Sequence, residues 1–214
     1  MNAETVHNNP FERIYLEVRQ MEGRLYPDEV VAKLPDIDRQ HHLHKEWRIR
    51  KASCRQLVRY LVEKKTPLRI LEIGCGNGWL AHQLSFIPGS VVIGTDVQIT
   101  ELQQAARVFS NRPNLHFMFG PPDQGLFEKQ QVDIIVFAAS IQYFPSLKDI
   151  IEQVLPLLKN DGEIHIIDSP LYKQSECEQA RQRSQDYFDS LGFGQMAHYY
   201  FHHCMGALAG FNYR

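Results

Sequence analysis

The 214-residue chain predicts an α/β fold, a doubly wound and mostly parallel sheet, on three observations. From Leu68 onward, short apolar runs alternate with helical patterns, as a βαβ chain requires. The run Val132–Ala138 is almost wholly apolar, as a central parallel strand buried on both faces should be. The first apolar run, ending at Ile73, enters glycines at 74, 76 and 78 and leaves them in a helical pattern. That is a strand–turn–helix junction with a ligand-binding turn.

Before Pro67 the pattern is helical. Asn9-Pro10 followed by Phe11, Ile14, Tyr15, Val18 and Met21 reads as a capped amphipathic helix. Pro27 and Pro35 bracket a short helical piece, and a His-rich loop follows from Asp38 to His44. Apolar residues Ile49, Ala52, Leu57, Tyr60 and Leu61 recur near helical spacing between Lys45 and Lys64, and Pro67 stops that helix. Residues 1–66 are therefore expected to form a helical cap or lid on a ligand-binding domain of residues 67–214.

Within that domain the strands are expected at Leu68–Ile73, Val91–Thr95, Leu115–Phe119, Val132–Ala138 and Glu163–Ile167. Helices are expected at Asn77–Phe86, from a Thr100/Gln103 capping box to Phe109, from Ser146 to Lys159, and from Glu176 to a glycine cap at Gly192. Asp161-Gly162 should turn the chain into the fifth strand, and Met196–Phe201 is β-prone.

Composition narrows the function. A formal charge of −2, with no basic run, argues against a nucleic-acid partner. No stretch is long and apolar enough to span a membrane, and the polar N-terminus lacks a signal-like segment. Cys54, Cys75, Cys177 and Cys204 are scattered without a C-x-x-C pair, which reads as reduced thiols in a cytoplasmic protein.

Glycine lets the turn adopt positive φ and lets a ligand approach the backbone, and the helix N-terminus offers free N–H groups. Asp96 closes the second strand 20 residues beyond Gly76, where a carboxylate in this topology accepts hydrogen bonds from ribose hydroxyls. Glu72 sits inside an apolar strand, so it either faces the ligand or binds nearby N–H groups. A nicotinamide fingerprint wants a small residue where this chain has Trp79.

The G-x-G-x-G spacing, with a carboxylate two residues before it, resembles motif I of the class I S-adenosylmethionine (SAM) dependent methyltransferases. Gly94-Thr95-Asp96-Val97, Val132-Asp133-Ile134-Ile135-Val136 and Leu157-Leu158-Lys159-Asn160-Asp161-Gly162-Glu163 resemble further motifs of that family, in order and spacing. The resemblance implies a Rossmann-like sheet of order 3-2-1-4-5-(7)-6. It also implies that Gly74, Cys75, Gly76 and Gly78 wrap the methionine end of SAM. Glu72 would act on its amino group, Asp96 would hold the ribose, and Val97 would pack on the adenine. An acid after the third strand often takes the adenine amino group; the nearest candidate is Asp123. Ala139 and Ser140 would line the methyl-bearing face, and Arg48 would pair with the SAM carboxylate.

Methyl transfer from a sulfonium is an in-line displacement in which the protein mainly positions and excludes water. No catalytic dyad is evident. Trp47, Gln142, Tyr143 and Tyr172 are candidate contacts for a small-molecule acceptor, with Asp168 and Ser169 beside them. His198, His202 and Cys204 would share a face in a strand, but their spacing matches no compact zinc motif, and no metal is expected. About a dozen residues follow Phe201, so a seventh strand should be short or missing. Either the chain is truncated or a partner chain, as in a homodimer, completes the edge. The expected function is SAM-dependent methyl transfer yielding S-adenosylhomocysteine (SAH). The alternatives are a non-catalytic SAM/SAH-binding protein or partner subunit, and then a nicotinamide-dependent dehydrogenase.

Overall fold

The structure, a computed structural model, describes residues 10–121 and 128–214. These residues fall into two units. One comprises Tyr26–Ala139 and Pro156–Asp168; the other takes residues 10–25, Ser140–Leu155 and Ser169–Arg214. The expected 1–66 cap is thus shared between them.

The first unit holds the sheet. Strands β1 (Arg69–Ile73), β2 (Val91–Asp96), β3 (Leu115–Phe119), β4 (Val132–Ala138) and β5 (Leu158–Ile167) lie in the order β3-β2-β1-β4-β5, all parallel. Parallel strands need crossovers, and the order reverses between β1 and β4. That switch point opens a crevice at the strands' carboxyl ends. Four of the five β1 residues are buried, as are four consecutive residues of β4. Short apolar runs without alternation gave these strands away because both sheet faces are covered.

In this unit α3 (His44–Glu63) belongs to the core. Trp47, Cys54, Leu57 and Leu61 form its buried stripe, clustered with Ile70, Leu80, Leu84, Ile134 and Val136. The Trp47 indole N–H donates to the Tyr26 hydroxyl at 2.8 Å, and its ring meets Trp79 edge-on at 5.2 Å. At the helix's far end Tyr60 and Lys64 both donate to Glu163 of β5. The helical turn α2 (Asp28–Val31) is tied to α5 (Ile99–Val108) by Arg107 and Gln104, which donate to Asp28.

Several local expectations are corrected. The helix after the glycines is shorter, α4 (Trp79–Leu84). The cap of α5 is Gln98, whose side chain accepts from the Thr100 N–H, rather than Thr100 itself. The helix from Ser146 ends early: α6 spans Leu147–Val154, and a 3-10 turn leads into β5 at Leu158. Asp161-Gly162 lies inside β5 as a bulge. Val132 pairs with Leu158 while Ile134 pairs with Glu163, so five residues on one strand span two on the other.

The second unit packs α1 (Pro10–Met21) with α7 (Cys177–Ser190) through Ile14, Val18, Phe188 and Met196, ringed by Phe11, Tyr15, Tyr143, Tyr199 and Tyr200. Met196–Phe201, β-prone by composition, lies mostly in a 3-10 helix, Gly194–Tyr199. Among the described residues the sheet therefore has neither a sixth nor a seventh strand. The expectation of four reduced thiols also fails, since Cys177 and Cys204 are joined by a disulfide and only Cys54 and Cys75 are free.

Leu61 is 1 % exposed. Leu61→Ala should cost about 2–5 kcal/mol in urea unfolding, whereas Ile49→Ala, on the exposed face of the same helix, should stay within about 0.5 kcal/mol.

Candidate active site

The glycine turn is built from three left-handed residues: Gly74, Gly76 and Gly78 have φ of 73°, 53° and 74°. An L side chain at any of them would be strained. The N–H groups of Gly74 and Cys75 both donate to the Thr95 carbonyl, at 2.8 and 3.0 Å, which pins the turn to the end of β2. Beneath it, Gly94 must lack a side chain, because its Cβ would lie 2.9 Å from Cys75 Sγ.

Asp96 joins this turn to the next. One carboxylate oxygen accepts from the Gly76 N–H at 2.6 Å and the other from the Gln98 N–H at 2.7 Å. The Val97 N–H also donates to this carboxylate, which leaves one of its roughly four acceptor sites for a ligand hydroxyl. Burial raises its pKa to about 6, the neighbouring Glu101 adds to the rise, and three backbone N–H donors, Gln98, Gly76 and Val97, hold it back.

Glu72 does two things. It is 2 % exposed and accepts from the Ala81 N–H in the first turn of α4, which braces the glycine turn. Its Oε2 is buried without a hydrogen-bond partner. Burial, opposed by that N–H and reinforced by Asp96, pushes the carboxyl well above the usual range. Between two such acids the buried Cys75 thiol is also pushed up, chiefly by burial, so it is no nucleophile.

Glu101 was missed from the sequence. It is 3 % exposed, and its carboxylate oxygens lie 3.7 Å from where a Gly76 Cβ would be. The signal was present: Gln98, Glu101, Leu102, Ala105 and Phe109 form the buried stripe of α5, and a charge on an apolar stripe is rarely idle.

Residues 70–162 match a family model described as a methyltransferase domain. Over those residues the chain is similar to that family. A malonyl-[acyl-carrier protein] O-methyltransferase of Halalkalibacterium halodurans is 29 % identical over 123 residues, covering 53 % of this chain and 45 % of the relative. The chain thus spans under half the length of that relative. Among solved structures, a sarcosine dimethylglycine methyltransferase from Galdieria sulphuraria superposes with a TM-score of 0.60 at 15 % identity, over 87 % of this chain and 68 % of that one. The YcgJ protein of Bacillus subtilis gives 0.53 at 20 % identity, over 70 % and 63 %. Identities this low speak for the fold alone.

The fold brings Glu72, Gly74, Cys75, Gly76, Gly78, Asp96 and the half-buried Val97 to one end of the sheet. Ala139, at the end of β4, has φ 51°, and its N–H donates to the Ile167 carbonyl. Trp47 is a core residue, as described, and Arg48 lies on the exposed side of α3. Arg50, two residues on, bonds Glu46 and covers the Trp47 ring. Asp123 lies outside the described residues.

Ser140, Gln142, Tyr143 and Tyr172 belong to the second unit. There Gln142 accepts from the Ser169 hydroxyl at 3.0 Å, and its carbonyl accepts from the Phe201 N–H. Tyr143 meets Tyr15 and Tyr200 edge-on and Phe11 at a tilt. Tyr172 is held by backbone bonds to His203 and Met205. The supposed face of His198, His202 and Cys204 does not form. His202 bonds Ser184, and Cys204 is in the disulfide.

The glycines differ in a measurable way. A Cβ at Gly78 would meet Phe117 Cζ at 2.6 Å and Ala105 Cβ at 2.8 Å, whereas at Gly76 its nearest neighbours are at 3.7 Å. Gly76→Ala should therefore cost only the backbone strain, about 1–2 kcal/mol. Gly78→Ala adds overpacking of about 1–3 kcal/mol, and its chemical denaturation midpoint should be clearly the lower of the two.

Proposed function

We propose that the chain transfers the methyl group of SAM to a small-molecule acceptor by in-line displacement and releases SAH. The observation that carries this reading is the clasp at Gly76, a turn with no Cβ above it whose N–H is held by Asp96. The residues fit the cofactor. Asp96 has an acceptor site left for a ribose hydroxyl, Val97 follows it for the adenine, and Glu72 keeps a buried oxygen for the amino group. Gly74, Cys75, Gly76 and Gly78 would enclose the methionine end. Ala139 and Ser140 are assigned to the methyl-bearing face and Arg48 to the SAM carboxylate. When bound, the sulfonium supplies an activated methyl group and a good leaving group. The protein's own task is to orient it and keep water away.

Gln142, Tyr143 and Tyr172 are assigned to the acceptor. The printed name of the relative from H. halodurans concerns a malonyl group on an acyl-carrier protein, and it supports methyl transfer as the chemistry. Among the described residues no helix is long and apolar enough to cross a membrane.

Thermal shift with SAM, SAH and NAD in parallel tests the reading, since a ligand that binds only the native state raises the melting temperature. Stabilisation by SAM and SAH but not NAD is expected. SAM binding without SAH production from any acceptor library would instead mark a binding protein. Asp96→Ala should weaken SAM by about 1.5–3 kcal/mol in calorimetry, the worth of hydrogen bonds to a charged group. Because Asp96 ionises near 6, affinity should also fall as pH drops from 7.5 through about 6, and this fall should be absent in the variant.

A further inference from the structure

Two adjacent strands end in the same unusual way. Ala139 follows β4 with φ 51°, and Asp168 follows β5 with φ 56°. The pairing of Ala138 with Ile167, and the Ala139 N–H donated to the Ile167 carbonyl at 2.9 Å, set the two residues side by side. One strand spacing, about 4.8 Å, separates them. Left-handed backbone in non-glycine residues gathers at functional sites, where surrounding structure enforces it. It turns the chain sharply at the strands' carboxyl ends, beside the switch point between β1 and β4.

Asp168 also has an oxygen, Oδ2, that is buried with no hydrogen-bond partner. Glu72 Oε2 is in the same condition, and Glu72 is 2 % exposed. Both acids act electrostatically on Cys54 of α3. Its thiol is pushed up to about 12, by burial first and then by the charges of Glu72 and Asp168, with the exposed Arg55 opposing. Asp96 and Glu101 close the other side of the glycine turn. A buried carboxylate oxygen without a donor is expensive. Two of them at one end of the sheet call for a ligand that brings positive charge or protons.

We infer that Asp168 is the proton acceptor of the transfer and that the methyl acceptor is an amine or a hydroxyl, not a carboxylate. The inference rests on the methyltransferase reading above. In the step, the acceptor's nitrogen or oxygen lone pair bonds the methyl carbon, and the carbon–sulfur pair stays on sulfur. The N–H or O–H proton passes to the Asp168 carboxylate. A carboxylate acceptor has no proton to give, and Asp168 and Glu72 would repel it. The same charge favours the sulfonium over the neutral thioether that the reaction leaves behind.

Asp168→Asn is the informative variant, because asparagine tolerates the left-handed backbone and keeps the side chain's shape. Asp168→Glu keeps the charge and serves as its control. Calorimetry on the full chain gives the ratio of SAH to SAM dissociation constants. That ratio should fall about fivefold or more in Asp168→Asn and hold in Asp168→Glu. In parallel, labelled SAM is offered with alkylamines, phenols and a malonyl thioester. Transfer to the amine or phenol class is expected, with Asp168→Asn slower by about 10²–10⁴-fold, the usual worth of general-base catalysis. A ratio unmoved by Asp168→Asn overturns the inference even if no acceptor turns over. So does methylation of the malonyl carboxylate. Failure of the wild-type chain to bind SAM at all would instead overturn the proposed function.

Discussion

The bond from the Gly76 N–H to Asp96 is the constraint on which the rest of the cradle depends. It joins the end of β2 to the turn after β1, and it works only because Gly74, Gly76 and Gly78 all take positive φ. Thr95 reinforces it by receiving two N–H groups on one carbonyl. Glu72 then fixes the following helix by capping Ala81. Three short-range contacts thus set four backbone segments in register: β1, the turn, α4 and the start of α5. None of them uses a side-chain donor, so these contacts run from backbone N–H groups to two carboxylates and one backbone carbonyl.

Such an arrangement leaves the cradle strongly acidic. Glu72 and Glu101 are almost fully buried, Asp96 raises Glu72, and Glu101 helps hold the ionisation of Asp96 close to pH 6. A fold selected for stability alone would replace at least one of these carboxylates, since burying a carboxylate costs free energy and Glu72 Oε2 has no hydrogen-bond donor. Their retention makes sense if a cationic ligand completes the site. The free protein is then less stable than its packing permits, and binding returns the difference.

What could be read from the sequence was local or periodic. The strands β1, β2 and β4 announced themselves as apolar runs, and Asp96 followed from its spacing to the glycines, because the βαβ unit has a nearly fixed length. The failures share a cause: tertiary contacts overrode local preference. Met196–Phe201 is rich in β-prone residues, yet it winds into a 3-10 helix whose Met196 packs against Ile14, Val18 and Phe188. Asp161-Gly162 looked like a turn, but within β5 it forms a bulge. A Cβ on Gly162 would strike Leu158 at 2.8 Å, which explains the glycine there. The Cys177–Cys204 pairing joins residues 27 apart with no spacing signature. Glu101 was legible in principle, as an acid on an apolar stripe, but only once the helix face was known.

The loops after β4 and β5 illustrate why site residues are harder to read than strands. Gln142 and Tyr172 sit in segments without periodicity, and their positions come from the far end of the chain. Phe201 donates to the Gln142 carbonyl, while His203 and Met205 bracket Tyr172. His203 in turn reaches the Ile141 carbonyl at 3.0 Å. The segment 201–205 therefore stitches both loops together within its unit, and the disulfide at Cys204 ties that stitch to α7. A binding loop held by distant contacts carries almost no local code. The backbone of β1 and β2 is dictated by the residues it contains, whereas the loops of the second unit are dictated by residues about 30 to 60 positions away.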